Sequence, residues 1–334
     1  MLSIDQLEFT GRELSRPECV LATRSGHLYT ADARGGVAVI YPDGRTCLLA
    51  HRTESPWLIP NGIALMPDGT FLLAHLGNTS GGVFQLDGHG ALKPFLEEVD
   101  GIPLPPTNFV GRDHKGNIWI TVSTRQHPRH QAARADVADG FIVRIDEQGA
   151  RIAAEGLGYT NECVVDPAGK HLFVNETFAR RTSRFKLAEN GTLSGRETVT
   201  EFGPGDFPDG LTFDSAGDLW VTCVVSNRLI RVTPDGSQHV FLEDCDHERM
   251  TVVEQRYQAG SLQGDDLNRV QPKVLRNISS LTFGGPDLRT AWLGCLGGAS
   301  LATFRSPVAG LVPAHFDVVP AWLDRLASAS SSRS

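Results

Sequence analysis

A polar residue, an apolar strand, a tight turn and a second apolar strand recur in that order along this chain, and few folds besides repeated small sheets can absorb such a pattern. It reads PECVLATRSGHLYTA from Pro17, PNGIALMPDGTFLLA from Pro60, TNFVGRDHKGNIWIT from Thr107, TNECVVDPAGKHLFV from Thr160 and PDGLTFDSAGDLWVT from Pro208. A degenerate sixth copy, ISSLTFGGPDLRTAWLG, starts at Ile278. In the first five a glycine follows the polar residue at one fixed offset: Glu18 to Gly26, Asn61 to Gly69, Asn108 to Gly116, Asn161 to Gly169 and Asp209 to Gly217. Turn chemistry of this kind between apolar strands marks hairpins. A third strand follows in most units, as in VAVIYPDG from Val37, VFQLDGHG from Val83, FIVRIDEQG from Phe141 and LIRVTPDG from Leu229. Units of ~40–50 residues holding several short strands are the signature of propeller blades. No sustained 3.6-residue periodicity competes, which excludes helical solenoids and most α/β enzymes. The expected fold is all-β, a six-bladed β-propeller occupying residues 1–325 as a single domain. A strand around Ile4–Phe9 is expected to close the last blade, and the Ser-rich stretch 326–334 to be disordered.

Composition narrows the partners. The net charge of -8 argues against nucleic acid, which needs a concentrated basic face. No apolar run approaches the ~18 residues of a membrane span, and the opening MLSIDQLEFTGREL lacks the basic and apolar regions of a signal peptide. Six cysteines lie far apart with no C-x-x-C pair, the pattern of reduced thiols in a cytoplasmic protein. A small-molecule substrate is therefore the expected partner.

The repeat register also points to a site. Propeller blades surround a central channel, and residues at one phase of each first strand converge there. That phase holds Glu18, Asn61, Asn108, Asn161 and Asp209, with Ser279 or Ser280 in the sixth unit. Hydrophobic packing does not explain five oxygen-bearing side chains at one repeat position. Two carboxylates and three carboxamides suit a hard divalent cation, whereas zinc usually selects His and Cys. A polar, water-filled channel is the alternative. Calcium is the expected ion, with magnesium, manganese or zinc behind it.

These residues resemble the senescence-marker-protein, gluconolactonase and luciferin-regenerating-enzyme family, which includes regucalcin and more distantly resembles diisopropylfluorophosphatase. The resemblance runs from Pro17 to about Pro313 and rests on RPECV, PPTNFVGRDHKGNIWIT, YTNECVVDPAGKHLFV, FPDGLTFDSAGDLWVTC and SSLTFGGPDLRTAWLG in order. It implies a six-bladed propeller with one divalent cation at the channel mouth. It implies Glu18, Asn161 and Asp209 as direct ligands and Asn108 as a ligand or the holder of a bound water; the family does not clearly use Asn61. Strictosidine-synthase-like propellers lack the cation, and the presence of Glu18, Asn161 and Asp209 disfavours them. Sugar-lactonase members carry an arginine two residues before the third-blade asparagine, where this chain has Pro106. That departure predicts slow turnover of gluconolactone relative to less polar lactones.

Two long intervals in the repeat read as insertions, about Arg125–Asp139 and Asp244–Arg276, both on the face where the polar ring opens. ERMTVVEQRYQAG in the second is expected to form a short helix whose Met250, Val252, Val253 and Tyr257 roof a pocket. Loops placed by a rigid scaffold usually carry specificity. Asn61, His75, Arg125 and Glu176 are the candidates to face the substrate, although His75 is equally read as a buried histidine satisfied by backbone and Arg125 as a surface residue. Cys19 and Cys163 read as packing, and His127 with His130 makes a poor zinc pair because Pro128 and a loop separate them. No G-x-S-x-G, Walker or H-E-x-x-H motif is present. The expected function is metal-dependent hydrolysis of a cyclic ester, with Asp209 as base for the attacking water. A phosphotriesterase-like activity at the same cation, and a non-catalytic ligand-binding propeller, are the alternatives.

Overall fold

The computed structural model describes residues 1–51, 57–268 and 273–331. Six four-stranded antiparallel sheets form the blades of a β-propeller. Their innermost strands are Val20–Ala22, Pro60–Leu65, Thr107–Arg112, Thr160–Val165, Asp206–Phe213 and Ile278–Gly284. Strand order follows chain order in blades one to five. Blade six takes its outer strand from the N-terminus, where Glu8–Thr10 pairs with Leu301–Arg305 through Phe9 opposite Ala302. The closing strand is thus shorter and later than Ile4–Phe9. Ile4–Gln6 forms a 3₁₀ turn, with Ser3 N donating to Gln6 Oε1 at 3.0 Å.

The core lies between blades. Tyr29, Val37 and Val39 of blade one pack with Phe71 and Leu73 of blade two. Comparable seams join blades two and three, three and four, four and five, and five and six. Leu301 and Trp292 of blade six meet Val20, Leu28 and Ala38 of blade one, completing the circle. Several middle strands are accordingly buried along their whole length, as in Leu28–Asp32, Ile118–Val122 and Leu219–Val225. A strand covered on both faces needs no polar alternation. The outer strand Thr46–Ala50 keeps it.

The hairpins are tied by local chemistry. Asp113 accepts from Lys115 N, Asn117 N and Trp119 Nε1, and Asp214 repeats this with Ala216 N, Asp218 N and Trp220 Nε1. The five repeat glycines all have positive φ, from 65° at Gly169 to 91° at Gly116, where a side chain is strained.

The stretch expected to be a disordered tail is helical through Ser331. Its start is anchored: Trp322 Nε1 donates to Gly69 O at 2.8 Å and Tyr41 Oη to Leu323 O at 2.9 Å, while Leu326 and Ala327 lie against the seam of blades one and two. Serine content describes local preference, and this packing overrides it. Residues 332–334 fall outside the described residues. Among the described residues no helix is long and apolar enough to cross a membrane, and all six cysteines are unpaired and buried.

Candidate metal centre and active site

Each ring residue from blades two to five sits where the pairing of the first two strands skips. The register shifts between Pro60 and Ile63, Thr107 and Phe109, Thr160 and Cys163, and Pro208 and Leu211, with a matching shift between Ile278 and Ser280 in blade six. A bulge of this kind bends the strand and re-aims the side chain at that point. In blade one Glu18 lies just before the strand Val20–Ala22. Gly62 and Gly210 follow two of the ring residues because neighbouring inner strands come close. A Cβ at Gly62 would lie 2.6 Å from Phe109 Cα, and one at Gly210 would lie 2.5 Å from Ser279 O.

The structure brings Glu18, Asn61, Asn108, Asn161 and Asp209 together, all buried. Asn61 Nδ2 donates to Glu18 Oε1 at 2.7 Å and to Asn108 O at 2.9 Å. Asn161 Nδ2 donates to Thr177 Oγ1, which donates in turn to Pro208 O. Asn175 Nδ2 holds Asp209 O at 3.0 Å, and the hydroxyls of Ser279 and Ser280 both donate to Glu18 O. These contacts orient the side chains yet leave Glu18 Oε2, Asn61 Oδ1, Asn161 Oδ1 and Asp209 Oδ1 buried without a hydrogen-bond partner. Orphaned acceptors are costly, and a group of them at one point calls for a partner.

Burial pushes the Glu18 carboxyl up to about 7, against the pull of Arg16. Burial and then the charge of Glu18 push Asp209 well up. Glu162 is driven up by burial and by the same two carboxylates, and its Oε2 accepts from Leu211 N at 3.3 Å.

The other substrate-facing candidates have different partners. His75 Nδ1 accepts from Ile59 N at 3.1 Å and its ring packs edge-on against Trp57 and Phe84. One ring nitrogen thus has a backbone partner. Glu176 accepts from Gly158 N, Ser183 Oγ, Arg181 and Arg196, which saturates both oxygens. It fixes the turn leading to Asn161. Arg125 reaches outward across blade three to Asp139 O and Glu155 and stacks 4.3 Å over Phe141.

The cations near the ring are instead Arg16 and Arg129, which interact electrostatically with both Glu18 and Asp209. Periodicity had no means of finding them, because Arg16 precedes the first strand and Arg129 lies in an insertion. Thr177 lies outside the first-strand phase, because it follows the second strand of its blade, His171–Glu176. Glu162 was missed because a regular strand would turn it away from Asn161, and the bulge removes that alternation.

The two insertions meet. The segment between Val122 and Gly140 supplies Ala132, Ala133 and Val137, and the helix His247–Gln258 supplies Met250, Val253 and Tyr257, to one apolar cluster over Tyr159, Phe178 and Phe207. Tyr257 Oη donates to Phe178 O, and Arg180 lies 4.0 Å from the Tyr257 ring while pairing with Glu254. Val252, expected in the roof, points to solvent at 46% exposure. Helix phase places it opposite the packed residues.

A cavity of about 370 Å³ opens at the far mouth, bounded by Phe109, Trp119, Glu162, Leu211 and His315. Burial pushes His315 down to about 4. The unfolded chain then binds more protons between pH ~6.5 and ~4, so this group's contribution is complete above pH ~6.5 and lost as pH falls through ~4. Stability is expected to drop by up to about 3 kcal/mol over that range. His315→Gln should flatten the acid limb of denaturant melts. An unchanged slope would show that His315 does not set it. A separate trio, Glu243, Cys245 and His247, has ligand atoms within 4.8 Å of one another, but Glu243 is engaged by Arg228.

Comparison with known proteins finds a matching family model, curated relatives of similar sequence and solved structures of the same fold. A 6-deoxy-6-sulfogluconolactonase of Pseudomonas putida is 30% identical over 176 residues, covering 52% of this chain and 56% of that protein. A pentonolactonase of Haloferax volcanii is 30% identical over 168 residues, covering 49% and 47%. The chain thus matches about half the length of each. A Xanthomonas campestris gluconolactonase superposes with TM-score 0.64 at 18% identity, covering 89% and 88% of the two chains. A calcium-binding regucalcin of Agrobacterium tumefaciens does so with TM-score 0.65 at 16% identity, covering 94% and 97%. The family model described as "SMP-30/Gluconolactonase/LRE-like region" matches residues 17–243, the span that supplies every ring residue from Glu18 to Asp209, and the chain belongs to that family.

Proposed function

We propose that the protein is a divalent-metal-dependent lactonase acting on sugar lactones. The observation that carries this reading is the set of orphaned buried oxygens on Glu18, Asn161 and Asp209. Their all-oxygen chemistry and formal charge of -2 fit calcium or another hard divalent cation. Glu18, Asn161 and Asp209 would hold it directly, and Asn108 would complete the set or hold a water. When bound, such an ion supplies Lewis-acid stabilisation of the developing oxyanion.

The chain's own residues do the rest. Asn61 and Thr177 fix the Glu18 and Asn161 side chains through their hydrogen bonds, so no reorganisation is needed on substrate binding. Asp209 accepts the proton of the water that attacks the lactone carbonyl carbon, through the carboxylate oxygen not given to the cation. The ester C–O bond of the ring then breaks, and the proton passes to the leaving oxygen.

The names of the two 30%-identical relatives both denote sugar lactones, which favours that class over the less polar lactones suggested by Pro106. The test joins metal analysis to a panel of sugar lactones, simple lactones and organophosphates. One divalent ion per chain is expected, with hydrolysis of sugar lactones abolished by chelation and restored by calcium. Full turnover after exhaustive chelation overturns the mechanism. Preferred hydrolysis of organophosphates supports the phosphotriesterase alternative, and no turnover of any ester by metal-loaded protein supports a binding propeller.

A further inference from the structure

Arg16 and Arg129 come from unrelated parts of the chain, one just before blade one and one in the insertion of blade three, yet they lie close enough to repel each other. Each has a buried Nη1 without a hydrogen-bond partner. Among the described residues neither guanidinium makes an ion pair of 4.0 Å or less, although both feel Glu18 and Asp209. Arg16 has φ 51°, a left-handed conformation that a non-glycine residue keeps only where its surroundings enforce it. Arg129 sits 5.8 Å from the centre of the Tyr159 ring, which gives its guanidinium a face to rest on.

Charge counting shows what is missing. Glu18 and Asp209 carry -2, a divalent ion among their oxygens cancels it, and burial drives the nearby Glu162 carboxyl towards its neutral form. The two arginines, both half-buried, then stand beside the ring with no ion-pair partner among the described residues, and charge drawn out of water without a counter-charge is disfavoured. Guanidinium groups match the geometry of a carboxylate or sulfonate through paired N–H donors.

We propose that Arg16 and Arg129 form an anion clamp that selects sugar lactones bearing an ionised carboxylate or sulfonate away from the ester. The clamp rests on the lactonase reading and gives its substrate class. It supplies the cationic group absent at Pro106 from residues outside the repeat register.

The test uses metal-loaded full-length protein and three lactones: gluconolactone, glucarolactone with a carboxylate, and 6-sulfogluconolactone with a sulfonate. Wild type is expected to favour one or both charged lactones in kcat/KM by about tenfold or more, the two arms telling carboxylate from sulfonate. Arg129→Gln should lower kcat/KM for the favoured charged lactone at least about tenfold more than for gluconolactone, and Arg129→Lys should recover part of that gap. Equal losses on charged and neutral lactones overturn the clamp and place Arg129 on the ester itself. Should Arg16→Gln fail to fold, the Arg129 pair decides alone. Calorimetric binding of gluconate, glucarate and 6-sulfogluconate separates the clamp from the lactonase reading. Tighter binding of the sulfonated acid, erased by Arg129→Gln in a protein that hydrolyses nothing, keeps the clamp and rejects the lactonase. Affinity for glucarate and for 6-sulfogluconate no higher than for gluconate, with lactone turnover intact, rejects the clamp alone.

Discussion

Asp209→Asn is expected to lower kcat on the best sugar lactone by ~10²–10⁴-fold even at saturating metal, the usual cost of losing a general base. Asparagine keeps a carbonyl oxygen for the cation but removes one charge and accepts no proton at neutral pH. Metal affinity should fall, yet occupancy should return at high calcium while activity stays low. Glu18→Gln is the matched control. It removes the same charge from the same ring, leaves Asp209 in place, and retains an oxygen at the position now held by Asn61 Nδ2. Activity in Glu18→Gln should recover once metal is saturating. Equal recovery in both variants would make Asp209 a ligand only and send the proton to another acceptor.

Glu176→Gln is expected to destabilise the fold by about 3 kcal/mol while leaving the metal content of the folded protein intact. The carboxylate is fully buried and neutralises Arg181 and Arg196, whose side chains are 29% and 28% exposed. Removing one partner of a buried ion pair typically costs ~3–5 kcal/mol, and the partial exposure of both arginines places this case at the low end. The variant also loses the charge that accepts from Gly158 N, so the turn before Asn161 loosens. Denaturant melts measure the first effect and metal titration the second. Wild-type stability with a raised KM would mean that Glu176 contacts substrate, contrary to its saturated hydrogen bonding.

The architecture was legible because each blade is a local product: strand, turn glycine and second strand lie within one short segment, and a turn is specified by its own residues. The polar ring was legible for a related reason, since a repeat places equivalent residues at equivalent depths, and the oxygen side chains of Glu18, Asn61, Asn108, Asn161 and Asp209 broke an otherwise apolar strand pattern. Other features depended on contacts between segments distant in the chain. Alternation cannot reveal the bulges that turn Asn161 and Glu162 together, because a bulge suspends the alternation. Serine content hid the helix Leu323–Ser331, whose order comes from Trp322 and Leu323 seated between blades one and two. His75 and Glu176 occupied plausible phases but were bound to Ile59 and to Arg181 and Arg196, partners that strand phase does not specify. The sequence by itself determined the repeated blade and the oxygen ring, whose information is local and periodic. Tertiary structure alone decided which charges meet around that ring, because Arg129 reaches it through folding of an insertion and Arg16, local to Glu18, meets Asp209 and Arg129 only once the blades close.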